Sequence, residues 1–337
     1  MISPLLAQVA GAVAAEGLDS GTAAHYGDPL GEQRRALAGA GVVDRSHRGV
    51  VRVGGEERLS WLHSLTTQHL SELPAGRGAE ALVLSPHGHV EHHLLVTEDG
   101  TATWLDVEPG TVDDLMTYLT KMIFLLDVDP QDVTPSYAVL SVVGPRGADV
   151  LVAAGADASG APYDVMPGPW GGWVRAMPDD TYDVLVARDR LVEAWDALVA
   201  QGANPLGAWG AEALRVAARR PRLHCETDHR TIPNELSWLA TAVHLQKGCY
   251  RGQETVARVN NLGRPPRRLV LTHLDGSVDT LPAHGEAVEW EGAPVGFVTT
   301  AVRHHELGPL ALAMVKRSTP DDAALVASGV PMSIESD

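Results

Sequence analysis

Between Gly49 and Gly202 the chain runs twice through the same order of signals: strand, helix, two strands, helix. Such an order folds only if each pass buries one sheet face under its own helices. In the first pass GVVRV (49–53) reads as a strand and RLSWLHSLTTQHL (58–70) as a helix whose Trp61 packs on the sheet. Strands at Ala81–Leu84 and His89–Thr97 flank the turn SPHG. Glu98-Asp99-Gly100 marks a hairpin into TATWLDV, and Thr111 opens a helix with Asp114 placed for a capping box. The second pass is YAVLSVV (137–143), PRGADVLVAAG (145–155), a hairpin of GGWVRAM and YDVLVA about Asp179-Asp180, and RDRLVEAWDALVAQG (188–202). No fixed-period sequence repeat accompanies it.

From Arg267 the texture changes to short strands, RRLVLTHL, EAVEWEGAPVGFVTTAV, PLALAMVKRS and PMSIE, after the boundary signal GRPP (263–266). The expected fold class is α+β: two ferredoxin-like α+β units followed by a small C-terminal β-barrel. The division reads 1–30 as a helical lead-in, 31–135 and 136–262 as the two α+β units, and 263–337 as the barrel.

With 45% hydrophobic and 20% charged residues the chain has the balance of a soluble globular protein. Its 26 basic against 43 acidic residues give −17, which argues against duplex nucleic acid as a direct partner. No run approaches the ~20 apolar residues of a membrane span. The N-terminal MISPLLAQVAGAVAAEG has no Lys or Arg before its apolar part and is interrupted by Gln8, so it reads as a short amphipathic helix of a cytoplasmic protein. Cys225 and Cys249 form no CxxC and are expected as reduced thiols.

No phosphate-binding loop, GxSxG, HExxH or calcium loop is present, and GAGVVD (39–44) lacks the third glycine of a dinucleotide fingerprint. In PHGHVEHHLL the side chains of His89, Glu91 and His93 share one strand face, with His87 on the preceding turn. Imidazoles so placed suit zinc or iron. Without a distant cysteine or acidic partner they read instead as an exposed strand carrying several of the chain's 15 histidines, and no metal is expected. The sharpest signal is QKGCYRGQETVAR (246–258). Lys247 and Arg251 flank Cys249, a helix begins after it, and Gly248 and Gly252 allow sharp turns. Cations and a helix N-terminus favour the thiolate, the reactive form of cysteine. The plain alternative is a surface loop with an incidental cysteine.

KGCYRGQE (247–254) resembles the signature of the YgfZ family of folate-binding proteins, relatives of the glycine cleavage system T protein. Other blocks agree in chain order: GEQRRALAGAGVVDRSHRGVVRVGGEERLSWLHSL, ALVLSPHGHVEHHLL, RTIPNELSWL and GAPVGFVTTA, so the resemblance runs from about residue 25 to the end. It implies GcvT-type units and a barrel around a central channel, with tetrahydrofolate as ligand. It also implies a role with iron–sulfur assembly proteins or client enzymes, and Cys249 as the working thiol tuned by Lys247 and Arg251. Tyr250 completes the loop, and Gln253 and Glu254 either orient it or contact a ligand. Arg215 and Arg258 are nominated for the glutamate tail of folate, His92 and His93 as folate contacts, and Trp238 for stacking on the pterin, although core packing is the expectation for Trp238. Two departures stand out. His92 and His93 occupy the place of the T protein's acidic pair, which argues against aminomethyl transfer. Ala217 stands where relatives carry a glutamate that can bind the pterin.

Overall fold

The computed structural model describes residues 1–335 and divides into two compact units, residues 1–82 with 92–211, and residues 83–91 with the chain from Glu212 onward. Positions 336 and 337 of the expected barrel segment lie outside the described residues.

Two sheets form the layers expected from the doubled signal. One orders its strands Arg77–Leu84, Val90–Glu98, Thr103–Val107, Gly49–Gly54 and Asp129–Asp132. The other runs Val165–Pro167, Trp173–Met177, Thr181–Ala187, Tyr137–Val143, Gly41–Asp44 and Asn204–Pro205. In both, the last strand of the hairpin pairs antiparallel with the strand that opened the pass. The order repeated in sequence is therefore repeated in space. One strand departs from it: Gly41–Asp44 precedes the first pass yet pairs with Tyr137–Val143.

In the first unit the sheets meet through Val50 and Trp104 of one and Val139, Trp173 and Leu185 of the other. Arg175, 0% exposed, lies among them. Its guanidinium donates to Asp106 Oδ1 at 2.8 Å and Thr97 Oγ1 at 2.9 Å on one sheet, and to Asp183 Oδ2 at 2.9 Å on its own. A buried charge survives only with such partners. The second sheet covers its other face with the helices Gly147–Ala153 and Leu191–Ala200 through Val150, Leu151, Trp195 and Leu198.

Two local expectations are corrected. The helix expected over 58–70 ends at Leu65. Thr66 turns extended and donates its hydroxyl to Leu62 O, while Thr67 Oγ1 accepts from Leu82 N–H at 2.8 Å. Threonine hydroxyls here offer the backbone an alternative to helix. No capping box forms at Thr111, because its hydroxyl donates back to Glu108 O at 2.8 Å. Trp61 is buried as expected.

In the second unit six strands close into a barrel in the order Arg267–Leu274, Gly308–Lys316, Ala293–His304, Ala287–Trp290, Ala324–Ala327 and Val330–Ile334. Closure removes the unpaired edges that a small sheet would otherwise expose. Val270, Val298, Ala313, Leu325 and Met332 fill it. Leu271, Leu310 and Leu312 pack outward on Ala213 and Val216 of the helix Ala208–Ala217.

His304, buried at a hairpin end, accepts from the Glu306 and Leu307 N–H groups through Nδ1. Burial, then neighbouring His305, depresses its pKa. The unfolded chain therefore binds this proton at a higher pH than the folded chain. The stabilisation is complete above the unfolded value of ~6.5 and is lost as pH falls toward the folded one. Urea midpoints between pH 7 and 5 are expected to fall less steeply in His304→Asn than in the wild type. Equal slopes would show that His304 is not the titrating group. Among the described residues no helix is long and apolar enough to cross a membrane.

Candidate functional site

Three of the blocks quoted above converge in the second unit. The hairpin tip Ser85–His89 folds on itself: Ser85 N–H donates to His89 O and Gly88 N–H to Ser85 O, and Ser85 Oγ accepts from the N–H groups of His87 and His89. Gly88, at φ +82°, then meets Gly252, at φ +79°. A Cβ on Gly252 would stand 2.6 Å from Ser85 O and 2.7 Å from Gly88 Cα, and one on Gly88 would stand 2.8 Å from Thr255 Cβ. Each glycine is required both by its left-handed backbone and by the other's approach.

The third block holds the tip from its far side. Val90 N–H donates to Thr231 O at 2.8 Å. Asn234 Nδ2 donates to Val256 O at 3.3 Å, tying TIPNE to the helix Gln253–Leu262. Arg267 of the barrel donates to both Asp228 and Glu235 at 2.7–3.1 Å, and Glu235 Oε2 accepts from Ile232 N–H.

On this seat stands the signature loop. Cys249 is exposed. Lys247 is buried, with its ammonium 5.3 Å from the Tyr250 ring, and burial lowers its pKa to about 8. Tyr250 is buried too, which pushes its phenol up to about 12. Arg251 donates to Glu91 Oε2 at 2.9 Å, so part of its charge is spent on a carboxylate. The helix opens at Gln253 after the left-handed Gly252, and Gln253 Nε2 reaches back to Lys247 O at 3.4 Å. Glu254 is exposed in the first turn. The other thiol differs: burial, the largest cause, pushes Cys225 up to about 12, which disfavours the thiolate.

The residues nominated for folate differ in their surroundings. All five N–H groups of Arg215 are taken: Nε by Glu212, Nη1 by Arg220 O and Glu226, Nη2 by Glu212 and Thr300 Oγ1. Trp238 is 2% exposed and presents no face for stacking. His92 lies on the buried side of its strand with Val90 and Leu94. His93, on the other side, has Nε2 3.0 Å from Glu80 Oε2, whose second oxygen accepts from Tyr163 OH at 2.6 Å. Arg258 is exposed on its helix. The histidine cluster divides as well, His87 and His89 standing 6.1 Å apart on the tip. Among the described residues no group of three or more His, Cys, Asp or Glu is placed to hold a metal ion.

Sequence reading missed Gly88, Glu91 as the partner of Arg251, and Glu226. The available signal for Gly88 was the SPHG turn. Glu226, surrounded by polar residues in LHCETDH, carried none.

Fold and site together define the class: a GcvT-type α+β fold with a closed six-stranded C-terminal barrel. Residues 19–166 match the GCVT N-terminal domain. The crystal structure of glycine cleavage system aminomethyltransferase T from Bartonella henselae superposes with a TM-score of 0.87 at 18% identity, covering 98% of this chain and 95% of that one. In sequence the chain is 28% identical to an aminomethyltransferase of Nostoc over 314 residues, 88% of this chain and 80% of that protein. It is 29% identical to one from Geobacillus kaustophilus over 295 residues, 82% and 79% respectively. A candidate transferase of the Arabidopsis thaliana chloroplast is 29% identical over 279 residues, 78% of this chain but only 62% of that protein's length.

Proposed function

We propose that the protein is a YgfZ-type accessory factor in iron–sulfur cluster assembly or repair, built on the aminomethyltransferase fold and acting through the Cys249 thiol. The observation that carries this reading is the seat of Cys249. An exposed thiol stands on a loop fixed by two mutually required glycines, while the chain's other thiol is half-buried with its pKa pushed up to about 12. Buried Lys247 stands two residues before it in the chain, and the Glu91–Arg251 pair ties the loop to the strand Val90–Glu98.

The histidines favour this reading over glycine cleavage. An imidazole that accepts a proton becomes cationic, where the T protein's acidic pair is anionic. Tetrahydrofolate enters only as a proposed ligand. Trp238 and His92 are buried and the N–H groups of Arg215 are paired within the chain. Exposed Arg258 remains for its carboxylates.

The second reading, aminomethyl transfer to tetrahydrofolate, is favoured by the relatives named aminomethyltransferases. One pair of measurements separates the two. Iodoacetamide is expected to label Cys249 and spare Cys225 in the folded protein. Cys249→Ala is expected to keep the fold but lose support of iron–sulfur enzyme activity in cells lacking the wild type. Full support by the alanine variant would sink the accessory reading. Turnover of an aminomethyl donor with tetrahydrofolate, undiminished in Cys249→Ala, would establish the second.

A further inference from the structure

Met122-Ile123-Phe124-Leu125-Leu126 are five apolar residues in succession, and they follow the helix Val112–Lys121 instead of continuing it. Phe124 is 72% exposed and Leu125 107%. Runs of exposed apolar residues are selected against unless something covers them. Leu125 also holds φ +54°, a left-handed backbone that is uncommon for leucine and concentrates at functional positions.

The segment is anchored at both ends. Met122 O accepts from the Trp61 indole N–H at 3.0 Å on one side. On the other, Asp127 N–H donates to Glu57 Oε2 at 2.7 Å, Asp127 Oδ2 accepts from Glu56 N–H at 3.1 Å, and Asp127 O accepts from Glu57 N–H. The anchors determine the chemistry of the surroundings. Glu56, Glu57, Asp127 and Asp129 stand beside the tip; of the cations in these segments, Arg58 is paired with Glu98, which leaves Lys121 and Arg52 against four carboxylates.

We propose that residues 122–126 are an apolar plug with an acidic collar, and that its occupant is a partner protein offering an apolar socket rimmed by lysine or arginine. Charge complementarity selects this occupant. A second copy would bring the same collar against itself, and an anionic lipid surface would repel it. Anchoring both ends in advance limits the ordering cost of docking.

The test places a photo-reactive benzoylphenylalanine at position 124 of the full chain in cells, followed by binding of the purified cross-linked protein to wild type. Support requires a contact peptide with apolar residues flanked by Lys or Arg. It also requires affinity that weakens with salt and falls by at least about tenfold in Phe124→Ser and in Leu125→Gly. Both side chains project into solvent and glycine accepts the left-handed backbone, so both variants are expected to fold. Cross-links to the chain itself alone, no cross-link, an acidic contact peptide, or binding indifferent to both substitutions would each overturn the proposal. So would retention on phosphatidylcholine–phosphatidylglycerol vesicles lost in the same variants.

Discussion

Arg215→Ala is expected to destabilise the second unit by about 3–5 kcal/mol, the scale of removing one partner from a buried ion pair. The size follows from what remains behind. Glu226 has a side chain 0% exposed, and its Oε2 faces Arg215 Nη1 at 2.7 Å. Its other oxygen accepts from Thr299 and Thr300 on the barrel strand Ala293–His304. Removing the guanidinium therefore leaves a buried carboxylate with hydroxyl and amide partners, and the nearby Arg222 donates to Glu212. The substitution also cuts the link between the helix Ala208–Ala217 and the barrel. Arg215→Lys keeps the charge but not the planar fork that spans Glu212, Glu226, Arg220 O and Thr300 at once, so an intermediate loss is expected. Arg258→Ala, at an exposed position, is expected within about 0.5 kcal/mol of wild type. Denaturant unfolding measures all three, and a wild-type midpoint for Arg215→Ala would refute the clamp.

The second large effect is expected at Gly252. Alanine there meets a left-handed backbone, at a cost of about 1–2 kcal/mol. Its Cβ would also press on Ser85 O and Gly88 Cα at 2.6 and 2.7 Å. These are backbone atoms of a hydrogen-bonded turn and cannot swing away, which adds about 1–3 kcal/mol of overpacking. Gly248, four residues earlier in the same loop, is the internal control. Nothing lies within 4 Å of its missing Cβ, and its φ is not positive. Gly248→Ala should unfold close to wild type, while Gly252→Ala unfolds earlier and changes the alkylation rate of Cys249 as the loop loses its seat. Equal stability of the two variants would show that the glycine contact does not hold the loop.

Local periodicity determined much of the fold. The two passes through strand, helix, hairpin and helix, the change of texture at GRPP and the barrel strands all follow from side-chain spacing, which acts over a few residues. The stretch around Cys249 stood out for the same reason, being a contiguous run of unusual residues. Two things lay beyond sequence. Pairing across large separations placed Gly41–Asp44 in the second sheet, because a strand's register is set by the partner it finds. Tertiary contacts also decided what each polar residue does. Arg215, nominated for a ligand, donates to Glu226 and Thr300, which the fold brings onto it. Arg251, read as a cation for the thiol, pairs with Glu91. The sequence supplied the charges and the glycines; their partners, and therefore their roles, were decided by which distant segments the fold brought within hydrogen-bond reach.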